Sequence, residues 1–417
     1  MTLAAEFPTL EGFDPFSQDF LGNPGPWIKR AQAEAPVFYY PPLKMWVVTR
    51  YDDICKAARD WQTFSSRALS VVPQPEHLMD RLPPNWGEGH FITIDPPEHT
   101  LSRGAVTPFF LPEELKKREG AIREIATELI DGFIAKGTCD FMHDFGYPLS
   151  LKVVIGLLNV PPERYANYRQ WTEDYFLVFS PKTDAPKQMP EKERLERWSR
   201  LADAQDFFKE LVDQRRACPV GDIVNHMIDA RGKDGNPIPE HRLIRHITEL
   251  VAAGNDTTAN LMAQMLMYLD SNPSQFAEVK KNFDLIPNVV EETLRLRGTS
   301  PGLFRITTRD VEIGGAKIPA NEVVWLLFIG GGLDESKFAD SERFDIHRAN
   351  SRDHLAFGHG RHTCLGNPLA RLEARIGFEE LLRRIPDIRV TPGQTLNYQP
   401  NMTVLTLDSL KAEWTVP

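Results

Sequence analysis

The chain has 417 residues, of which 41% are hydrophobic and 25% charged, and its formal net charge is −10. This is ordinary globular composition, and the acidic balance argues against a nucleic-acid-binding protein, which would usually be basic. The four cysteines show no CxxC spacing, which makes a disulfide scaffold a weak interpretation. The N-terminal segment lacks the basic region and apolar run of a signal peptide. No stretch reaches the roughly 18 apolar residues of a membrane span. We therefore expect a cytoplasmic protein without a membrane partner.

Taken in chain order, the apolar patterns indicate a mainly α fold with minor β-sheets. Residues 35–50 and 311–328 carry aromatic and β-branched runs around short turns, which predict strands in small sheets. Between them, helical spacing of apolar residues dominates. The longest helix is predicted at 239–271, before Asn272-Pro273, and at 1.5 Å per residue it would be about 50 Å long. A loop and a final long helix are predicted at 357–384.

The segment Phe357–Gly366 reads FGHGRHTCLG and places one cysteine between glycines, just before the last helix. The glycines allow the backbone to approach a flat ligand closely. A helix N-terminus lowers a thiol pKa and favours the thiolate, which is the form that binds iron. Cys364 is therefore a candidate iron ligand.

Two other interpretations of Cys364 stay open at this point. It could be a buried structural cysteine in a glycine turn, which is the usual role of a lone cysteine. It could also belong to a zinc site with nearby histidines, although structural zinc usually takes several thiolates or a regularly spaced histidine pair. The histidines concerned are His347, His354, His359 and His362.

Inside the predicted long helix, residues 253–258 read AGNDTT, a run of poor helix formers. Threonine and aspartate side chains can divert backbone hydrogen bonds, so we expect a local opening that admits O₂ and water. The alternative is a helix break or an N-cap. The apolar pattern continues on both sides, from Leu250 to Met262, which favours one helix.

Two further pairs have spacings that suit charge pairing. Glu292 and Arg295 lie three apart, on one helix face. His99 and Arg103 lie four apart, so a helix would direct both donors toward one carboxylate. Taken alone, each pair could equally be an ordinary pair of side chains on the protein surface.

The segment 357–366 is similar to the haem-binding loop of the cytochrome P450 family, Phe-Gly-x-Gly-x-His/Arg-x-Cys-x-Gly. Residues 253–257 resemble the Ala/Gly-Gly-x-Asp/Glu-Thr oxygen-activation motif of the same family. The resemblance implies a single haem-thiolate monooxygenase domain over residues 1–417. It departs from the family at Gly332-Leu333-Asp334, where many members have Asn-Arg-Asp.

The resemblance also implies roles for single residues around haem b. Cys364 would be the axial metal ligand and Phe357 would pack beside its sulfur. Thr257 would orient a hydrogen bond to bound oxygen and Asp256 would relay protons. The remaining roles are contacts with the haem propionates, for His99, Arg103, Arg305 and His362, and a buried structural brace, for Glu292, Arg295 and Arg343.

The implied reaction inserts one atom of O₂ into a small hydrophobic substrate. The chain has no nucleotide-binding fingerprint or cysteine cluster, so an iron–sulfur ferredoxin with its reductase is the expected electron donor. A peroxide-using haem enzyme of the same fold and a haem-binding sensor or carrier that does no chemistry remain alternatives. Candidate docking residues are Arg103, Arg352 and Arg361. Candidate pocket residues are 78–92, Tyr175, Phe176, Phe179, Leu250, Leu303, Phe304 and 402–404.

Overall fold

A computed structural model describes residues 7–82, 85–181 and 189–416, and helices make up most of this part. The predicted domain of residues 1–417 also includes residues 1–6, 83–84, 182–188 and 417, which lie outside the described residues. The α-helices are, in chain order, α1 (Gln18–Gly22), α2 (Gly25–Glu34), α3 (Tyr51–Arg59), α4 (Glu98–Val106), α5 (Pro112–Lys116), α6 (Glu119–Asp131), α7 (Tyr147–Leu158), α8 (Tyr165–Val178), α9 (Glu191–Ala217), α10 (Ile223–Asp229), α11 (Glu240–Asp270), α12 (Pro273–Lys281), α13 (Ile286–Arg297), α14 (Phe328–Gly332) and α15 (Asn367–Arg384).

The strands are short. They are β1 (Val37–Tyr40), β2 (Met45–Val48), β3 (Phe64–Ser65), β4 (Leu69–Val71), β5 (Thr138–Asp140), β6 (Phe179–Pro181), β7 (Leu303–Thr307), β8 (Val311–Ile313), β9 (Ala316–Ile318), β10 (Val323–Leu326), β11 (Arg389–Val390) and β12 (Lys411–Glu413). The largest sheet has the order β1-β2-β10-β7-β3, and its β2–β10 pair is parallel. The prediction of a mainly α fold with minor sheets is confirmed, and strands lie within both predicted segments.

The main hydrophobic core joins distant parts of the chain. It extends in sequence from Leu10 to Trp414 and includes buried residues of most helices, so the described residues form a single domain. Within those residues, no helix combines the length and the apolar character needed to cross a bilayer.

Helix α11 is the central element of this core. It packs against α7, α8, α9, α13 and α15, and every residue from Thr258 to Leu266 is buried, as expected of a helix that is covered on all sides. Ala253, Gly254 and Thr257 are accessible in the middle of this otherwise buried helix. These three residues therefore face an internal cavity and not the protein surface.

The approach of α11 to α7 depends on a glycine. A Cβ atom added at Gly254 would lie 2.8 Å from a methyl carbon of Val154 on α7, closer than side-chain carbons pack. The glycine therefore brings α7 against α11 beside the accessible residues. By contrast, a Cβ atom added at Gly156, inside α7, would meet no atom of the described residues within 4 Å. This glycine therefore has only the entropic cost of a glycine in a helix.

These two glycines form a matched pair for a stability measurement. Gly254→Ala should lower the free energy of unfolding by ~1–3 kcal/mol, since the added methyl group overpacks the α7–α11 contact. Gly156→Ala should raise it by about 0.5–1 kcal/mol, because alanine is the better helix former. Both values come from denaturant unfolding. Equal effects of the two changes would contradict this account of the helix contact.

Candidate haem site

A cavity lies between α11 and the loop that carries Cys364. The side chains and backbone that line it come mainly from these two elements, with further residues from α4, α7, α8 and β7. From α11 they are Glu249, Leu250, Ala253, Gly254, Thr257 and Thr258; from the loop they are Phe357, Gly358, His362, Cys364, Leu365 and Gly366. The arrangement brings the cysteine and the accessible part of α11 to one site.

The loop holds Cys364 through backbone geometry that requires glycine. Gly358 and Gly360 have φ values of 70° and 73°, in the left-handed region that glycine adopts without strain. A Cβ at Gly360 would also lie 2.6 Å from the carbonyl oxygen of Ala58. The loop closes when the Cys364 amide donates to the carbonyl oxygen of Phe357 at 2.7 Å.

The electrostatics at the Cys364 sulfur differ from the expectation of a low thiol pKa. Burial raises the pKa of Cys364, and this effect outweighs the backbone amides of Gly366 and Asn367 and the guanidinium of Arg103, which lower it. The start of α15 acts in the expected direction but does not stabilise the thiolate by itself. A bound metal cation would supply the remaining stabilisation.

Four basic side chains cluster together, and three of them, His99, Arg103 and His362, line the cavity. His99 and Arg103 come from α4, Arg305 from β7 and His362 from the cysteine loop; the His99 and His362 ring centroids lie 4.2 Å apart. Among the described residues, no carboxylate forms an ion pair with any of them. Burial is the main cause that lowers the pKa of His99 to about 4 and that of Arg305 to about 10. The cluster therefore fits an anionic ligand such as a pair of carboxylates.

Phe357 lines the cavity from the cysteine loop. The guanidinium of Arg371 lies 4.5 Å from its ring centroid, and the His354 ring lies 5.7 Å from it. Arg371 and His354 both pair with Glu291, at 2.6 and 3.2 Å. His354, one of the histidines considered for a zinc site, is thus engaged by Glu291, and the described residues contain no group of three or more metal-binding side chains.

Thr257 and Asp256 occupy neighbouring positions on α11 with different surroundings. The Thr257 hydroxyl lines the cavity and donates to the Ala253 carbonyl oxygen at 2.7 Å. The Asp256 carboxylate is buried and pairs with Arg169 at 3.0 Å. Burial raises the pKa of Asp256 to about 6 despite the attraction of Arg169. This carboxyl can therefore hold or release a proton near neutral pH.

The expected opening of the long helix is not a break, because α11 runs without interruption from Glu240 to Asp270. Side-chain hydroxyls compete for its carbonyl groups instead. The Ser150 hydroxyl of α7 donates to the Asn255 carbonyl oxygen at 2.9 Å, and the Thr257 hydroxyl donates to that of Ala253. The apolar residues on both sides of the motif hold the helix together, which is why the poor helix formers do not interrupt it.

The buried brace contains a different arginine from the predicted one. Glu292 and Arg295 are fully buried on α13 and pair at 2.7 Å. The third side chain is Arg348, whose Nε lies 3.0 Å from Glu292, and which is 8% exposed. The predicted Arg343 is 64% exposed and pairs with Asp345. Its backbone turns the side chain outward, and only its carbonyl oxygen accepts from Arg295 and Arg348.

The departure at Gly332-Leu333-Asp334 is accommodated by the same network. A Cβ at Gly332 would lie 2.0 Å from the Arg295 carbonyl oxygen, and the Gly332 carbonyl oxygen accepts from the Arg295 guanidinium at 2.7 Å. Asp334 accepts from the Tyr51 amide at 2.8 Å. This segment therefore anchors α13 and α3 without the side chains found in many relatives.

The family model for cytochrome P450 matches residues 36–415 of the chain. The chain belongs to the cytochrome P450 family. It is 34% identical to a putative cytochrome P450, YjiB, of Bacillus subtilis, over 89% of this chain and 90% of the relative. It is 30% identical to the cytochrome P450 monooxygenase PikC of Streptomyces venezuelae, over 98% and 95%.

The fold agrees with solved structures of the family. Cytochrome P450 CYP109Q5 from Chondromyces apiculatus superposes with a TM-score of 0.83 at 32% identity, over 97% of this chain and 98% of that one. The chain is therefore a P450 monooxygenase with the single-domain P450 fold, and its cofactor is a cysteine-ligated haem. The resemblance in the cysteine loop and the oxygen motif had implied this family, fold and cofactor, and all three are confirmed.

Several residues of the P450 site could not be found from local motifs. Arg169, Arg348 and the Glu291–Arg371–His354 group are recognisable only from their ion pairs in the structure. Of the predicted pocket residues, Phe91, Ile92, Tyr175, Phe176, Phe179, Leu250, Leu303, Thr403 and Val404 line the cavity. Phe304 and Met402 belong to the hydrophobic core instead.

The brace provides a direct test of the corrected arginine. Arg348→Ala should lower the free energy of unfolding by ~3–5 kcal/mol, since it breaks a buried pair with Glu292, and should reduce the haem content of the purified protein. Arg343→Ala is the control, because removing an exposed arginine from a surface pair changes stability by about 1 kcal/mol or less. The opposite ranking of the two variants would restore Arg343 to the brace.

Proposed function

We propose that this P450 inserts one oxygen atom of O₂ into a small hydrophobic organic substrate, using electrons from an iron–sulfur ferredoxin and its reductase. The observation that carries the proposal is one cavity that is lined by Cys364, by the basic side chains of His99, Arg103 and His362, and by the accessible Thr257 of α11. One haem with two propionates would satisfy the cysteine and the basic cluster together. The intact pair of Asp256 and Thr257 favours O₂ over peroxide as the oxidant.

The chain's own residues would hold the haem as follows. Cys364 provides the thiolate ligand, and Phe357 covers the sulfur side of the loop. His99, Arg103, Arg305 and His362 would donate to the propionates, whose negative charges would offset the burial cost of the cluster. The bound haem supplies the redox chemistry that activates oxygen, which its thiolate ligand favours.

Proton delivery falls to two side chains of α11. Thr257 presents its hydroxyl Oγ1 in the cavity, where it can donate to oxygen once its bond to the Ala253 carbonyl is exchanged. Asp256 can hold a proton at its carboxyl; it pairs with Arg169 and is not among the residues that line the cavity. A proton moves inward when that pair separates and the carboxyl reaches water, as general acid–base catalysis requires.

The cavity wall supports an apolar substrate. Phe91, Tyr175, Phe176, Phe179 and Leu250 line it, and apolar and aromatic walls are typical of sites for hydrophobic small molecules. The substrate therefore gains most of its binding free energy from burial of apolar surface.

The electron donor is expected on the face near the cysteine loop. Arg352 and Arg361 are exposed there and suit an acidic ferredoxin, whereas Arg103 lines the cavity and does not belong to this face. All four cysteines are free thiols, which supports the proposed cytoplasmic location.

Cys364 as the axial ligand is tested by the spectrum of the reduced protein with carbon monoxide. The wild type should absorb near 450 nm, as thiolate-bound haem of this family does. Cys364→Ser should lose that band, since an alcohol does not provide the thiolate. Cys218→Ser, which changes an exposed cysteine, should keep it. A 450 nm band in the Cys364 variant would refute the assignment.

The proton relay is tested by the coupling of electron consumption to product formation. The substrate for this measurement is found by screening compounds for Soret shifts. Thr257→Ala should keep the carbon monoxide spectrum and substrate affinity but divert electrons to hydrogen peroxide. Asp256→Asn should slow turnover, and a positioned acid–base group typically contributes ~100- to 10,000-fold. Product formed and peroxide released per electron donor consumed are the measured quantities.

The matched control is Thr248→Ala. Thr248 lies on the same helix and donates to the carbonyl oxygen four residues earlier, at 2.9 Å, so its loss has the same effect on the helix backbone. It should retain wild-type coupling. Wild-type rate and coupling in both the Thr257 and Asp256 variants would mean that protons reach the site by another route.

A further inference from the structure

A carboxyl group on the cavity wall has no role in the chemistry proposed above. Glu249 lies on α11 at four- and eight-residue spacing from Ala253 and Thr257, so the three residues share one helix face. It is buried, with 4% exposure, and lines the cavity. Its carboxylate oxygens accept from the backbone amides of Phe91 and Ile92, at 2.5 and 3.1 Å.

Glu249 has no cationic partner among the described residues. Its nearest basic group is His90, whose Nδ1 lies 3.7 Å away. The other ring nitrogen of His90, Nε2, lies 2.9 Å from the Trp86 carbonyl oxygen and must carry the hydrogen. Nδ1 then accepts from the Tyr175 hydroxyl at 3.2 Å. His90 is therefore neutral, and burial lowers its pKa to about 3.

The absence of a cation beside Glu249 contrasts with the ion pairs of two other buried carboxylates, Asp174 and Glu292. Asp174 pairs with Arg197 and Arg200, and Glu292 pairs with Arg295 and Arg348. Without such a partner, burial raises the pKa of Glu249 to about 8. Each backbone amide donates to a different oxygen of the carboxyl group, and these two contacts hold it in place on the cavity wall. The amides are uncharged donors, so they position the carboxyl group but do not neutralise it when it ionises.

The surroundings of Glu249 suit a positive charge. Phe91, Tyr175, Phe176 and Phe179 line the same cavity, and the Tyr175 ring centroid lies 4.9 Å from that of Phe179. The only hydrogen of the Tyr175 hydroxyl is directed to His90, so its oxygen is left as an acceptor. A carboxylate, a phenol oxygen and aromatic faces together favour an alkylammonium group.

We propose that Glu249 forms an ammonium-binding subsite, so that the preferred substrate joins an apolar body to a basic nitrogen. The inference rests on the proposed monooxygenase function. Eight residues of helix separate Glu249 from Thr257, about 12 Å along the axis. The ammonium group then binds away from the haem, and the carbon that is oxidised lies near Thr257.

The test compares two probes of one shape. Decyltrimethylammonium carries a permanent positive charge and cannot coordinate iron through nitrogen, and its isostere has a carbon atom in place of the nitrogen. Each is titrated into the haem-loaded protein, and the Soret shift gives its dissociation constant. The quantity compared is the ratio of the two dissociation constants, which cancels the shared contribution of the alkyl chain.

In the wild type the ratio should favour the ammonium probe, and Glu249→Gln should reduce that preference by roughly tenfold or more. The glutamine keeps the volume of the side chain and one oxygen acceptor for the backbone amides, so the fold and the affinity for the neutral probe should persist. Glu373→Gln is the matched control, since Glu373 is a second buried carboxyl on the cavity wall with an unpaired oxygen. It should leave the preference unchanged.

The pH dependence identifies the group involved. Pairing with the probe requires the ionised carboxylate, so wild-type affinity for the ammonium should rise with pH through about 8, from the pKa of Glu249. The other titratable groups around it are His90, Tyr175, Arg245 and His246. Burial lowers the pKa of His90 to about 3 and that of Arg245 to about 10. Burial also raises the pKa of Tyr175 well above 10 and lowers that of His246 well below 6.5. None of these four groups titrates in this range. Burial also raises the pKa of Glu373 on the same cavity wall, so the titration is repeated with Glu373→Gln, which should keep the wild-type pH dependence.

The subsite is refuted if the wild type shows no preference for the ammonium probe, if neither probe binds, or if Glu373→Gln loses the preference equally. The carbon monoxide spectrum and turnover of a neutral substrate are recorded on the same preparations. A preparation with the 450 nm band and turnover but without the ammonium preference separates failure of the subsite from failure of the proposed function.

Discussion

Burying an ionised side chain without a partner is costly, and this constraint organises the interior of the protein. Most of its buried charges are closed into pairs by the chain itself. Glu292 meets Arg295 and Arg348, and Asp174 meets Arg197 and Arg200. These networks fasten α13 to the loop around residue 345, and α8 to α9. They stabilise the frame around the cavity and need nothing from outside the chain.

A cluster of basic side chains lies at the cavity, and His99, Arg103 and His362 line its wall. His99, Arg103, Arg305 and His362 have no carboxylate partner among the described residues, and burial raises the pKa of the Cys364 thiol. A haem corrects both imbalances at once, since its propionates are anionic and its iron is cationic. Haem binding is therefore part of the charge balance of the folded state, and haem content and stability should vary together in variants of this cluster.

Local sequence predicted those parts of the site that are continuous in the chain. The cysteine loop and the α11 motif each occupy about ten residues or fewer, and their glycines, thiol and hydroxyl are readable from residue type and spacing. The small sheets followed from aromatic and β-branched runs around turns. The choice between Arg343 and Arg348 was not readable, because both follow Glu342 closely and only the backbone path decides which side chain turns inward. The two backbone amides that contact Glu249 belong to residues more than 150 positions earlier in the chain.

The position of Glu249 on α11 fixes its distance from the residue that lies beside the proposed haem site, Thr257. Glu249, Ala253 and Thr257 repeat at four-residue intervals, so one rigid element carries both the carboxyl of the subsite and the hydroxyl beside the haem. A helix that is buried along its second half and held against α7 at Gly254 does not allow their separation to vary. A substrate anchored at one end of this face therefore presents a carbon at a set distance from the anchor. Regioselectivity would then follow from the rise of α11, and the aromatic wall would only need to exclude water and fit the apolar body.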